Sequence, residues 1–170
     1  MCEERDTITA KDIIDIAYKE DLIEKEIREV YKEDKILLKV KDDQIGQING
    51  LSVIDSGYFC FGKPIRIICS CYKGDGEIID VQKQSELSGN IHCKAVNILK
   101  GLINELFGKY SRLPVNFHLS FEQIYGKIDG DSASVAELVC MISALSCIPI
   151  KQNIAVTGSI NQFGEVQPIG

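Results

Sequence analysis

An α+β fold behind a charged helical segment is what this chain of 170 residues predicts, on three observations. The hydrophobic period changes from helical to alternating near residue 45. Beyond that point strand-like and helix-like stretches follow one another without a regular βαβ order. The composition shifts at the same place: 23 of the first 43 residues are charged, against 21 of the other 127. The organisation read from this is a charged helical leader over 1–43, the end of a preceding helical domain, and a folded domain over 44–170.

In the leader, Thr9 with Asp12 three residues on has the pattern of a helix start. Ile13, Ile16, Ala17, Ile23, Ile27, Val30 and Tyr31 then recur at helical spacing, as one helix or as two with a break near Glu20-Asp21. Gln47, Asn49, Leu51 and Val53 lie in a short β-like segment. Pro64 to Tyr72 is rich in β-formers, Lys73 to Gly76 is a turn, and Glu77 to Val81 reads as the returning strand of a hairpin. Ile91 to Tyr110 has an apolar helical face, with Gly108 near its end. From Pro114, Val115, Phe117, Leu119 and Phe121 alternate with polar residues, as in a half-buried strand. Ser132 to Cys147 is a second apolar helix, stopped by Pro149. Gln152 to Ile160 reads as a strand, Asn161 to Gly164 as a turn and Glu165 to Ile169 as a final strand. These elements predict mixed sheets with packed helices.

Apolar residues make up 45% and charged residues 26%, the balance of an ordinary globular chain. A net charge of −6 argues against nucleic acid as the main partner and against an anionic membrane surface. No apolar run is long enough to cross a bilayer, and the charged N-terminus lacks the apolar region of a secretory signal. The seven cysteines sit mostly inside apolar runs, which reads as reduced thiols of a cytoplasmic protein. Cys69 and Cys71 share a strand face, but His92-Cys93 is the only further ligand pair and its side chains diverge, so no metal site is expected. Gly74-Asp75-Gly76 lacks the Gly-Lys-Ser/Thr ending of a phosphate loop and the spacing of a calcium loop, so it reads as a plain turn.

One segment could carry chemistry: Ile128-Asp129-Gly130-Asp131-Ser132-Ala133-Ser134-Val135, at the entrance to the second apolar helix. In the bland reading Asp131 or Ser132 caps that helix. In the functional one, Ser132 presents its hydroxyl to a substrate carbonyl, and peptide N–H groups around Gly130 and Asp131 stabilise the oxyanion. A serine needs a base. His92 opens a helix far from the motif in sequence, and His118 lies on the polar face of a strand, so neither suits the role. A lysine whose charged form is disfavoured by burial could serve.

IGQINGLSVI (45–54), ELSGNIHCKAV (86–96), FEQIYGKIDGDSAS (121–134), AELVCMISAL (136–145) and IAVTGSINQFGEVQPIG (154–170) together resemble the proteolytic domain of Lon proteases. The resemblance is to the Lon-related, type-2 (LonB/LonC-like) branch. It implies a Lon-type proteolytic fold and a Ser–Lys dyad. Ser132 matches the nucleophile, Thr157 the threonine that orients the lysine, and Asp129 an acidic auxiliary position. The family's lysine follows the Pro-Ile-Gly stretch in a Gly-x-x-x-Lys context, beyond Gly170. The chain as given is therefore expected to be truncated before its base and inactive or nearly so, in a parent that cleaves unfolded or damaged proteins. The resemblance implies no cofactor at the peptidase site, ATP only through a domain outside this chain, and self-association into a ring, commonly hexameric. The rival readings are a non-catalytic interaction or assembly module, a truncated pseudoprotease, and a nucleotide-binding switch that would use Gly74 to Gly76.

Overall fold

A computed structural model describes residues 7–10, 22–33, 35–55, 60–108 and 111–169. The chain parts into two compact units, Met1–Ile36 and Leu37–Gly170. In the first, α1 spans Leu22–Lys32, and Lys32 Nζ meets Glu29 Oε1 at 2.6 Å one turn back. Both side chains are exposed, so the pair contributes little. The sequence signals at Asp12 and at Glu20-Asp21 lie outside the described residues.

The second unit begins with β1 (Asp43–Gln44), β2 (Gln47–Asp55), β3 (Cys60–Lys73) and β4 (Ile78–Asp80). A short helix α2 (Val81–Gln84) and a longer one, α3 (Asn90–Ile103), follow, the latter running on into a π-helical turn over Asn104–Gly108. Then come β5 (Val115–Phe121), α4 (Ser134–Ser146), β6 (Ile150–Lys151), β7 (Ala155–Val156), β8 (Ser159–Ile160) and β9 (Val166–Gln167). Five strands form the main sheet in the order β4-β5-β3-β2-β7; β1 pairs with β6 and β8 with β9. The β2–β3 and β3–β5 pairs are antiparallel, and β4–β5 and β2–β7 are parallel. The class is α+β with mixed sheets, as expected.

Helix α4 packs on β2 and β3, with α3 against it and against β4. Ile48, Ile67, Leu99, Phe117, Leu119 and Met141 are among the residues of the core between them. Fully burying each such side chain contributes roughly 1.5–3 kcal/mol. The alternation read in 115–121 is observed: Phe117, Leu119 and Phe121 are buried, and the residues between are half-buried.

The structure corrects three local readings. The segment after the Lys73–Gly76 turn does not return along β3. It pairs with β5 instead, and β5 lies between β3 and β4. The start of β5 captures the turn: Gly74 N–H donates to Pro114 O at 3.0 Å, Gly76 N–H to Val115 O at 3.2 Å, and Asn116 Oδ1 accepts the Asp75 and Glu77 N–H groups, each at 2.9 Å. The strand expected over Gln152 to Ile160 is broken into pieces. Gln152 is buried, and its Nε2 donates to Gln47 O at 2.9 Å and Ile150 O at 2.8 Å, so a side-chain amide takes the place of backbone pairing. Finally, α4 starts at Ser134 rather than Ser132 and ends at Ser146, capped by Cys147, which adopts a left-handed conformation (φ 55°) before Pro149 is reached.

Candidate active site

The entrance to α4 is held from the outside. Ser132 O accepts the Gly158 N–H at 2.7 Å and the Thr157 hydroxyl at 3.2 Å, while Val135 N–H donates to Gly158 O at 3.1 Å. Asp131 Oδ2 accepts the Ser159 hydroxyl at 2.8 Å. The strand-like segment 157–159 thus docks along 131–135. These bonds use the carbonyl of Ser132 and leave its hydroxyl out.

Neither Asp131 nor Ser132 caps the helix with its side chain. Ala133 is the residue at the cap position and makes no side-chain cap bond; Asp131 O accepts both the Ser134 N–H at 3.1 Å and the Ser134 hydroxyl at 2.6 Å. Ser132 is half-buried, and among the described residues its hydroxyl has no hydrogen-bond partner. The bland capping role is therefore filled by another group, and the Ser132 hydroxyl stands free at a helix N-terminus, where peptide dipoles favour developing negative charge.

The other expected residues fall around it. Gly130 turns the chain with φ 105°, a conformation suited to glycine. Its N–H donates to Asp129 Oδ1 at 2.9 Å and is thereby occupied, whereas the N–H groups of Asp131 and Ser132 have no partner among the described residues. Asp129 Oδ1 also accepts the Ile91 N–H at 2.9 Å and the His92 N–H at 3.1 Å, so it caps α3. The peptide N–H groups of His92 and Gly130 in particular, and then that of Ile91 and the charge of Lys127, hold its carboxyl below the usual range. A Cβ on Gly89 would lie 2.1 Å from Asp129 Cγ, so this approach depends on the glycine. Asp131 and Ser159 also form part of the wall of a cleft of about 800 Å³ between the first half of α3 and the β8–β9 hairpin; Ser132 and Thr157 do not line it.

The sequence reading missed a buried ionisable cluster. His92 Nε2 lies 3.2 Å from Asp80 Oδ2 and 3.8 Å from Glu137 Oε1, with all three side chains almost fully enclosed. Burial pulls the imidazole pKa down, but Asp80 and Glu137 outweigh it and the net shift is upward. Burial pushes the Glu137 carboxyl up to about 7, against the pull of His92. One signal was available: Glu137 stands alone among apolar neighbours in AELVCMISAL. Among the described residues no group of His, Cys, Asp and Glu is arranged to hold a metal ion.

The α+β frame thus sets a serine hydroxyl, without a partner among the described residues, at a helix entrance, with a threonine hydroxyl on the same peptide. The chain belongs to the Lon protease (S16) C-terminal proteolytic domain family, which its residues 18–170 match, and so carries a domain of a serine peptidase family. It is 41% identical over 155 residues to the "Putative Lon protease homolog" of Escherichia coli (strain K12), covering 90% of this chain and 26% of that protein. It is 46% identical over 139 residues to the "Putative Lon protease homolog" of Haemophilus influenzae (strain ATCC 51907 / DSM 11121 / KW20 / Rd), covering 81% and 23%. To the archaeal Lon protease of Pyrococcus abyssi (strain GE5 / Orsay) it is 31% identical over 170 residues, covering 96% and 16%. The chain thus spans about a quarter or less of the length of these relatives. No described helix is long and apolar enough to cross a membrane.

Proposed function

We propose that this is the peptidase domain of a Lon-like protease of the type-2 branch, working by a Ser–Lys dyad with Ser132 as nucleophile. The observation that carries the reading is the uncommitted Ser132 hydroxyl, on a peptide whose carbonyl is held by Thr157 and Gly158. Ser132 Oγ attacks the scissile carbonyl as its proton passes to a neutral lysine amine. That amine then returns the proton to the departing peptide nitrogen, and water deacylates the enzyme by the same route. The free N–H groups of Asp131 and Ser132 are the donors for the oxyanion, because that of Gly130 is engaged with Asp129. Thr157 orients the amine, and Asp129 fixes the loop against α3.

The lysine is the one that follows Pro168-Ile169-Gly170 in the family pattern. The substrates are unfolded or damaged proteins in the cytoplasm. The protease works as a ring, with no cofactor at the peptidase site and ATP used only by other domains of the protein. Residues 1–43 are the end of the domain that precedes it.

The test compares residues 1–170 with the chain extended through the segment after Gly170, using an unfolded protein as substrate. The extended chain hydrolyses it. Residues 1–170 alone, and the extended chain with that lysine changed to Met, fall by roughly 10⁴-fold or more. Equal activity with and without the lysine refutes the dyad. An inert extended chain favours a non-catalytic assembly module.

A further inference from the structure

Asp80, His92 and Glu137 play no part in the reaction just described, yet they sit where three elements meet. Asp80 ends β4 and caps α2, its Oδ1 accepting the Gln82 N–H at 3.0 Å. His92 is in the first turn of α3 and Glu137 in the first turn of α4. Their exposures are 3%, 2% and 0%. The Phe121 ring meets the imidazole edge-on at 5.5 Å. Asp80 Oδ2, His92 Nε2 and both Glu137 oxygens lack a well-formed hydrogen bond among the described residues, and His92 Nε2 has Asp80 Oδ2 at 3.2 Å and Glu137 Oε1 at 3.8 Å. Two buried carboxyl groups served, among the described residues, by one backbone donor, the Gln82 N–H on Asp80, are tolerable only if a cation or a proton compensates their charge.

The cluster also reaches the catalytic segment by two routes. The His92 peptide N–H is one of the donors that hold Asp129, three residues before Ser132 in Asp129-Gly130-Asp131-Ser132. Glu137 is on the helix that Ser132 leads into, and its N–H donates to Ala133 O at 2.9 Å. We propose that Asp80, His92 and Glu137 are positioning residues for the Ser132 segment: the imidazole, in contact with both the Asp80 and the Glu137 carboxyl groups, ties α3 to α4, and the His92 peptide transmits its position to Asp129. As a role in catalysis this rests on the peptidase reading of Ser132.

The direction of the pH dependence follows from the cluster. Facing the imidazole are Asp80 from the end of β4, Glu137 from α4 and, farther off, Asp129. Beyond Glu137 lie Cys140 on α4 and Cys69 on β3, whose thiols burial holds neutral. Glu137 and His92 both bind their protons more tightly in the folded protein than in the unfolded one. Their stabilisation is complete below the unfolded values and is lost as pH rises through the folded ones. Loss of the Glu137 proton, near pH 7, leaves the buried cluster with excess negative charge. Loss of the His92 proton removes the tie. The two steps belong to the cluster jointly.

The test uses the whole protein labelled with ¹³C,¹⁵N-histidine, with the His92 signals assigned by difference from His92→Gln. The imidazole titrates above the ordinary histidine value, and the His92 peptide ¹⁵N–H shift moves over the same pH range. Glu137→Leu lowers kcat by about tenfold or more with KM unchanged. Glu137→Gln, which mimics the neutral carboxyl, restores kcat and abolishes the step near pH 7. The proposal is overturned if the peptide shift stays still while the imidazole titrates, or if the Glu137→Gln pH profile superimposes on that of the parent. If instead Ser132→Ala leaves hydrolysis intact, the peptidase reading fails by itself, and the coupling between imidazole and peptide still decides the cluster.

Discussion

Ser132 is bound through its carbonyl, while its hydroxyl has no partner among the described residues, and the proposed chemistry rests on that division at the scale of single residues. The Gly158 N–H at 2.7 Å and the Thr157 hydroxyl at 3.2 Å fix where the peptide sits. Helix α4 does not recruit the hydroxyl as a cap, because Ser134 and the Asp131 carbonyl close its first turn between them. Thr157 is exposed, so the bond it gives Ser132 O costs little to lose in folding terms. In the proposed mechanism its value is to catalysis: Thr157→Val should lower kcat by about tenfold while the melting temperature moves by no more than a degree or two, checked by steady-state kinetics beside thermal unfolding. An equal fall in both would make Thr157 a structural residue only.

At the scale of elements, the loop Asp129 to Ser132 is placed by the N-terminus of α3 as much as by α4. The contact needs a bare backbone at Gly89, where a Cβ would lie 2.1 Å from the Asp129 carboxyl carbon. Gly89→Ala should displace that carboxylate, uncap α3 and destabilise the fold by about 1–3 kcal/mol, read from chemical unfolding, with peptidase activity reduced in the folded protein. Unchanged stability and activity would show that the loop is positioned without this contact. Much of this level was legible beforehand. The alternation from Val115 to Phe121 gave a strand, and the apolar period after Ser132 gave a helix, because both patterns are local consequences of burying one face. The partners of those elements were not legible. The hairpin expected around Gly74 failed because Asn116, some forty residues on, binds the turn, and nothing in Lys73–Gly76 announces that capture. Gln152 broke an expected strand by spending its buried amide on Gln47 and Ile150, a choice that only the folded environment makes favourable. Among the site residues, the DGDSAS and VTGS motifs pointed to Ser132 and Thr157, which the fold brings together. Asp80 and His92 stand twelve residues apart and Glu137 another forty-five on, and their meeting required the α3–α4 packing.

At the scale of the whole molecule, a mixed five-stranded sheet and two packed helices serve to bring residues 129–135 and 157–159 side by side. The frame comes from hydrophobic burial, and the proposed site comes from polar groups that the described residues leave unspent: the Ser132 hydroxyl and the N–H groups of Asp131 and Ser132. In the proposed mechanism the Ser132 oxygen forms the bond to the substrate carbonyl. Its most direct measurement is hydrolysis of an unfolded protein by the whole protein and by its Ser132→Ala variant, both shown to be folded and equally assembled. A fall of roughly 10⁴-fold or more with unchanged substrate binding is expected. Hydrolysis by Ser132→Ala at the parent's rate would contradict it.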